Sequence, residues 1–156
     1  MTSLRIFTDG GARGNPGPSA CAFVVYRGNN LIYQQGFYLG ISTNNQAEYT
    51  AVLKAIQWLT EDSGHRIQDT EVNFKMDSLL VVKQMRGEYK IKDLKLKALH
   101  DKIKLKITRL QKLPALAGCR QENCKLKIDF VHIPREQNSA ADALVNQILN
   151  GEYENE

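Results

Sequence analysis

Four carboxylates in this 156-residue chain, Asp9, Glu48, Asp77 and Asp142, have the residue type and placement to do chemistry together. Asp9 follows the strand-like "RIFT" and precedes "GGARGNPGPSA", a stiff loop with glycines at 10, 11, 14 and 17. Glu48 stands four, seven and eleven residues before Val52, Ala55 and Leu59, so helical spacing aims it into an apolar stripe, where a carboxylate needs a partner. Asp77 closes the run "NFKM", and Asp142 in "SAADALVNQ" borders the stripe of Ala141, Leu144, Val145, Ile148 and Leu149. Each has a plainer reading. Asp77 suits a helix N-cap before "SLLVV", Glu48 three residues after Asn45 resembles a capping box, and Asp9 before two glycines suits a turn. Asp142, inside a helix, has the weakest alternative. Four converging carboxylates without bases repel one another unless cations hold them, and an oxygen-only donor set favours magnesium or manganese over zinc.

The elements that must position these groups are legible from periodicity. Leu4–Thr8, Cys21–Tyr26 and Leu31–Leu39 alternate as strands, the last two joined by the turn-rich "RGNN". From Asn45 to Thr60 the period becomes helical. A fourth strand, "EVNFKM", leads to a helix at "SLLVVKQM", and a longer helix spans Lys92–Leu113. After a loop around 114–123, "KLKIDFVHI" is a fifth strand and Asn138–Leu149 the last helix. With no internal repeat and no linker, the pattern predicts one α/β domain over residues 1–149, a five-stranded mixed sheet of three antiparallel and then two parallel strands flanked by helices. Residues 150–156 read as an acidic, fraying tail. If the first and fourth strands are parallel neighbours, Asp9 and Asp77 emerge at the same sheet end.

Composition bounds the partners. A chain of this length, 42% hydrophobic, is expected to bury about 70% of its unfolded surface. No apolar run approaches the roughly 18 residues of a membrane span, and Met1–Arg5 carries no signal-like apolar segment, so a cytoplasmic protein without a membrane partner is expected. Three cysteines, Cys21, Cys119 and Cys124, read as free thiols; "GCRQENC" is a surface loop or a weak half of a zinc site. The net charge is only +4, yet Lys83–Lys112 holds eleven of the twenty-one Lys and Arg residues against Glu88, Asp93 and Asp101. Such a run is usually a solvated helix face, but "GEYKIKDLK" sets Tyr89 among Lys90, Lys92 and Lys95, a mixture suited to a nucleic-acid backbone. The glycine loop fits neither G-x-G-x-x-G nor a P-loop, which disfavours a nucleotide or other small-molecule cofactor. Its glycines instead leave room for a polymer backbone to approach.

The blocks "FTDGGARGNPGPSACAFVV", "STNNQAEYTAVLKAI", "FKMDSLLVVKQMRGEYKIK" and "IPREQNSAADALVNQ" resemble, in order and over nearly the whole chain, the signature blocks of the type 1 ribonuclease H family. The resemblance implies the ribonuclease H-like fold, with Asp9, Glu48, Asp77 and Asp142 as catalytic, metal-binding carboxylates. It implies endonucleolytic hydrolysis of the RNA strand of an RNA–DNA hybrid by a monomer holding two Mg2+ ions, with Mn2+ as substitute, leaving 5′-phosphate and 3′-hydroxyl ends. By the same resemblance Asp9 bridges both ions, Asp142 completes the site on the water side, and Glu48 and Asp77 hold the other ion. RNA recognition falls to the loop at Gly11, Arg13 and Gly14 and to Asn15, Thr43, Asn44, Asn45 and Gln46, while Tyr89 and Lys90 match positions that hold the DNA strand. Where many members carry a histidine that assists turnover, this chain offers Arg135, and less convincingly His132 at the end of the fifth strand. Leu79 stands where some members place a glutamine, so one groove contact is expected to be missing. Two rival readings stand beside it: an inactive module of this fold that only binds nucleic acid, which loss of a carboxylate would favour, and none is lost; and a metal nuclease of the same fold acting on DNA, for which extra domains or a different fourth acidic position would be expected.

Overall fold

The computed structural model describes residues 3–61, 71–112 and 126–151. The loop holding Cys119 and Cys124, and residues 152–156, lie outside the described residues. The chain order is β1 (Ser3–Ala12), β2 (Gly17–Arg27), β3 (Asn30–Ser42), α1 (Asn44–Glu61), β4 (Glu71–Met76), α2 (Leu79–Met85), α3 (Leu94–Lys112) and β5 (Lys127–His132). A 3-10 turn (Arg135–Asn138) then leads into α4 (Ser139–Leu149). The sheet order is β3-β2-β1-β4-β5. β1, β2 and β3 pair antiparallel, and β4 lies parallel to both β1 and β5. This is the mixed five-stranded sheet that the periodicity predicts.

Strand alternation divides the apolar side chains between two faces. Leu4, Ile6, Phe23, Val25, Val72, Phe74, Met76 and Phe130 form the main core with α1, α2 and α3. On the opposite face Ala20, Ala22 and Val24 meet Ala141, Leu144, Val145 and Ile148 of α4. Phe7, Tyr26 and Leu149 pack against this smaller cluster, only partly buried.

Several boundaries differ from the sequence expectation: β2 begins already at Gly17, β3 runs on to Ser42, and the ends of β1 and α4 bear on the site. β1 does not end at Asp9. Its parallel pairing with β4 stops at Phe7 opposite Lys75, but its antiparallel pairing with β2 continues to Ala12 opposite Ser19. Asp9, paired with Ala22, is therefore mid-strand on one side and beyond the sheet's parallel pairing on the other. The glycines also serve a different purpose. A Cβ on Gly10 would lie 2.3 Å from the Ala47 carbonyl carbon, and one on Gly17 2.1 Å from the Arg13 carbonyl oxygen. These two positions are small to admit the protein's own backbone; of the four loop glycines Gly11, whose added Cβ would meet its nearest neighbours at 3.9 Å, has room for a methyl group. Asn150 and Gly151, which the sequence pattern places in the tail, instead close α4 through backbone bonds to Asn146 and Ile148.

Gly10→Ala therefore drives a methyl group into the first turn of α1 and is expected to destabilise the fold by about 1–3 kcal/mol. Gly11→Ala should stay within about 0.5 kcal/mol of the parent. Urea unfolding midpoints of the two variants check this contrast, and equal midpoints would contradict it.

Candidate active site

Each carboxylate reaches the site from a different element. Asp9 comes from the central strand β1 and is 6% exposed; Glu48 comes from α1 and is 8% exposed. The start of α1 is set by Thr43 and Gln46, which form the reciprocal capping box: Gln46 N donates to Thr43 Oγ1 and Thr43 N to Gln46 Oε1. Glu48 is thus released from the capping role that the sequence offered it. Asp77 is released likewise, because Ser78 is the N-cap of α2 and its hydroxyl accepts from Val81 N. Asp142 lies in the first turn of α4, half-buried, with Asn146 Nδ2 donating to its Oδ2 at 3.3 Å.

Carboxylate oxygens of Asp9, Glu48 and Asp77 all lie within 4.8 Å of one another. Asp142 lines the same groove from the α4 side, close enough for its charge to act on Asp9. Burial, then the charges of Asp77 and Asp142, push the Asp9 carboxyl up to about 8. Burial and the charges of Asp9 and Asp77 raise Glu48 well above the carboxylate range, opposed only by the charge of Arg135. Glu48 Oε2 is buried with no hydrogen-bond partner among the described residues. An orphaned carboxylate oxygen facing two further carboxylates is what a hard divalent cation would satisfy, so the donor set fits a metal.

A residue that the sequence reading did not single out ties the cluster together. Asn138, 1% exposed, donates through Nδ2 to the Thr8 carbonyl at 2.9 Å and to Asp77 Oδ2 at 3.1 Å. One amide thereby links the strand of Asp9, the Asp77 carboxylate and the start of the helix carrying Asp142. Its only sequence signal was an asparagine at a helix start, which is too common to stand out.

The four carboxylates line one open groove of about 470 Å³ together with Gly11, Arg13, Asn44 and Arg135. Asn44 Oδ1 accepts from Ala12 N and Asn15 Oδ1 from Asn44 N, which locks the β1–β2 turn onto α1. Gly14 and Asn15 are exposed in that turn, and Asn45 is half-buried in the first turn of α1. Tyr89 and Lys90 lie between α2 and α3, outside the groove lining; both are exposed, with Lys83 Nζ 5.0 Å from the Tyr89 ring centre. His132 is exposed at the end of β5, opposite Met76, and does not line the groove.

The RNase H family model matches residues 1–150. The chain belongs to the RNase H family. Among curated relatives, a ribonuclease HI of Halobacterium salinarum is 32% identical over 147 residues, covering 94% of this chain and 64% of its own length. A bifunctional protein of Mycobacterium tuberculosis is 32% identical over 146 residues, 92% of this chain but 35% of that protein. The chain thus spans less than two thirds of either relative. Among solved structures, LC11-RNase H1, isolated from compost, superposes with a TM-score of 0.81 at 39% identity, covering 97% of this chain and 98% of that one. The same LC11 enzyme in complex with an RNA/DNA hybrid gives 0.77 at 38% identity over 92% and 94% of the two chains.

The RNase H site carries a stability signature in the absence of metal. The folded protein holds a proton on Asp9 that the unfolded chain releases, so the stability this group contributes is present at low pH and lost as pH rises from 3.8 towards about 8. In chelator at about pH 8, Asp9→Asn should therefore be more stable than the wild type by about 1–3 kcal/mol, and magnesium should raise the wild-type Tm more than the variant's. Scanning calorimetry checks both; a less stable variant would contradict the assignment.

Proposed function

We propose that this protein is an endoribonuclease that hydrolyses the RNA strand of RNA–DNA hybrids with two magnesium ions, leaving 5′-phosphate and 3′-hydroxyl ends. The observation that carries the reading is the convergence of Asp9, Glu48 and Asp77 oxygens within 4.8 Å, one of them buried without a partner, in a member of the RNase H family. The hybrid-bound relative supports the substrate class. Asp9, Glu48, Asp77 and Asp142 would hold the ions. When bound, the metal supplies an ionised water and Lewis-acid stabilisation of charge on the scissile phosphate.

The chain's own residues do the rest. Asn138 fixes Asp77 against β1, so the carboxylate geometry precedes substrate binding. Arg135 stands in the groove with its charge felt by Glu48, placed to meet a phosphate or a departing product; His132 is outside that groove. Asn15 and Asn44 spend their carbonyl oxygens on the turn, which leaves their amide groups as donors for ribose 2′-hydroxyls. Tyr89 and Lys90 offer a stacking surface and a charge for the DNA strand.

With magnesium, wild-type protein should cut end-labelled RNA–DNA hybrid and neither duplex RNA nor duplex DNA, and Asp9→Asn should lose at least about 100-fold of the rate. Arg135→Ala should slow turnover about 10-fold or more while His132→Ala stays near wild type. Hybrid binding without cutting under magnesium or manganese would instead make the protein an inactive binding module, and cutting of duplex DNA would refute the substrate assignment.

A further inference from the structure

The four carboxylates are not equally well held. Asp9 is in the central strand, Asp77 directly follows a strand, and Glu48 is on an 18-residue helix packed into the main core. Asp142 rides on an 11-residue helix whose fully buried sheet partners are two alanines and a valine, with Phe7 and Tyr26 packed against them only partly buried. Its side chain shares a stripe with Val145, Asn146 and Leu149, all facing the groove, so a small slide or rotation of α4 moves Asp142 relative to Asp9. Contacts at the end of the helix add to this packing.

Two devices act at its C-terminal end. Ile148 presses into the space over Gly36 of β3, where a Cβ would lie 2.4 Å from Ile148 Cδ1. The Arg13 guanidinium reaches from the β1–β2 turn to the same end: Nη1 donates to the Leu149 carbonyl at 3.3 Å and Nη2 to Asn150 Oδ1. A forked cation at a helix C-terminus meets both the unpaired carbonyls and the negative end of the helix dipole. The turn presenting Arg13 is itself held, by Arg13 N donating to Pro18 O and by Asn15 on Asn44.

We propose that the Arg13 side chain is a positioning residue for Asp142. It latches the C-terminal end of α4 to the β1–β2 turn, so that the turn and the fourth carboxylate move as one body. The side chain is thereby committed to the protein, and Arg13 acts on the reaction through α4, with no contact to the RNA. The kinetic part of this inference rests on the proposed hydrolase activity; the positional part does not.

The test compares Arg13→Ala, Arg13→Lys, Asn150→Ala and the Arg13→Ala/Asn150→Ala double variant. Amide hydrogen exchange along α4 is read without metal, and kcat and KM are read on the hybrid with magnesium. Arg13→Ala should speed exchange of the α4 amides about 3- to 10-fold with β1 and β4 unchanged, and lower kcat by a similar factor at constant KM. Asn150→Ala should act in the same direction more weakly, the double variant should be no worse than Arg13→Ala, and Arg13→Lys should recover part of the loss. Unchanged α4 exchange would overturn the proposal. So would a raised KM at constant kcat with a silent Asn150→Ala, which would make Arg13 an RNA contact. If the wild type cuts no hybrid, the hydrolase reading fails while the exchange result still decides the latch.

Discussion

Three carboxylates brought within 4.8 Å of one another, two of them buried, repel, and the rest of this fold can be read as the means of holding them there. Among the described residues no lysine, histidine or cysteine lines the groove; the cationic side chains there are Arg13, hydrogen-bonded to the end of α4, and Arg135, whose charge reaches Glu48. The repulsion is left for a cation to relieve. A site that is costly when empty is also one that a divalent ion enters with gain, since each carboxylate then loses its like-charged neighbours' effect at once.

Rigid neighbours make that cost bearable. The parallel pairing of β1 and β4 stops at Phe7 and Lys75, two residues short of Asp9 and of Asp77, so both acids emerge at the same sheet end. Gly10 admits the first turn of α1 close enough to bring Glu48 over that end, and Asn138 binds the Thr8 carbonyl and Asp77 from the other side. The large core beneath α1 and the sheet supplies the stability against which the cluster is held.

Much of this was legible in the sequence. Strand and helix periods matched the five strands and four helices of the described residues, because each has a buried face and a solvent face that write themselves into the order of residues. Glu48 stood out because it broke an apolar stripe; Asp142 was read as lying inside a helix, but α4 starts at Ser139 and puts it in the first turn, where an aspartate is ordinary. What periodicity could not show was depth and direction. Asp9 looked like a strand end since glycines follow it, but pairing with β2 carries the strand on to Ala12. Asp77 looked like a cap until Ser78 took that role. The glycines at 10 and 17 seemed to wait for a ligand, whereas backbone from the protein itself fills their space. Asn138 and the Arg13 latch depend on residues more than a hundred positions apart meeting across the sheet, which no local pattern encodes.

The central claim is that these carboxylates form one mutually repelling, metal-ready cluster. The most direct test is a carbon-13 NMR titration of the Asp and Glu carboxyl groups in metal-free protein. The structure predicts that Asp9 titrates near about 8, with Glu48 also well above its ordinary 4.5, and that magnesium abolishes both shifts. Titration of both groups in the ordinary carboxylate range without metal would contradict it.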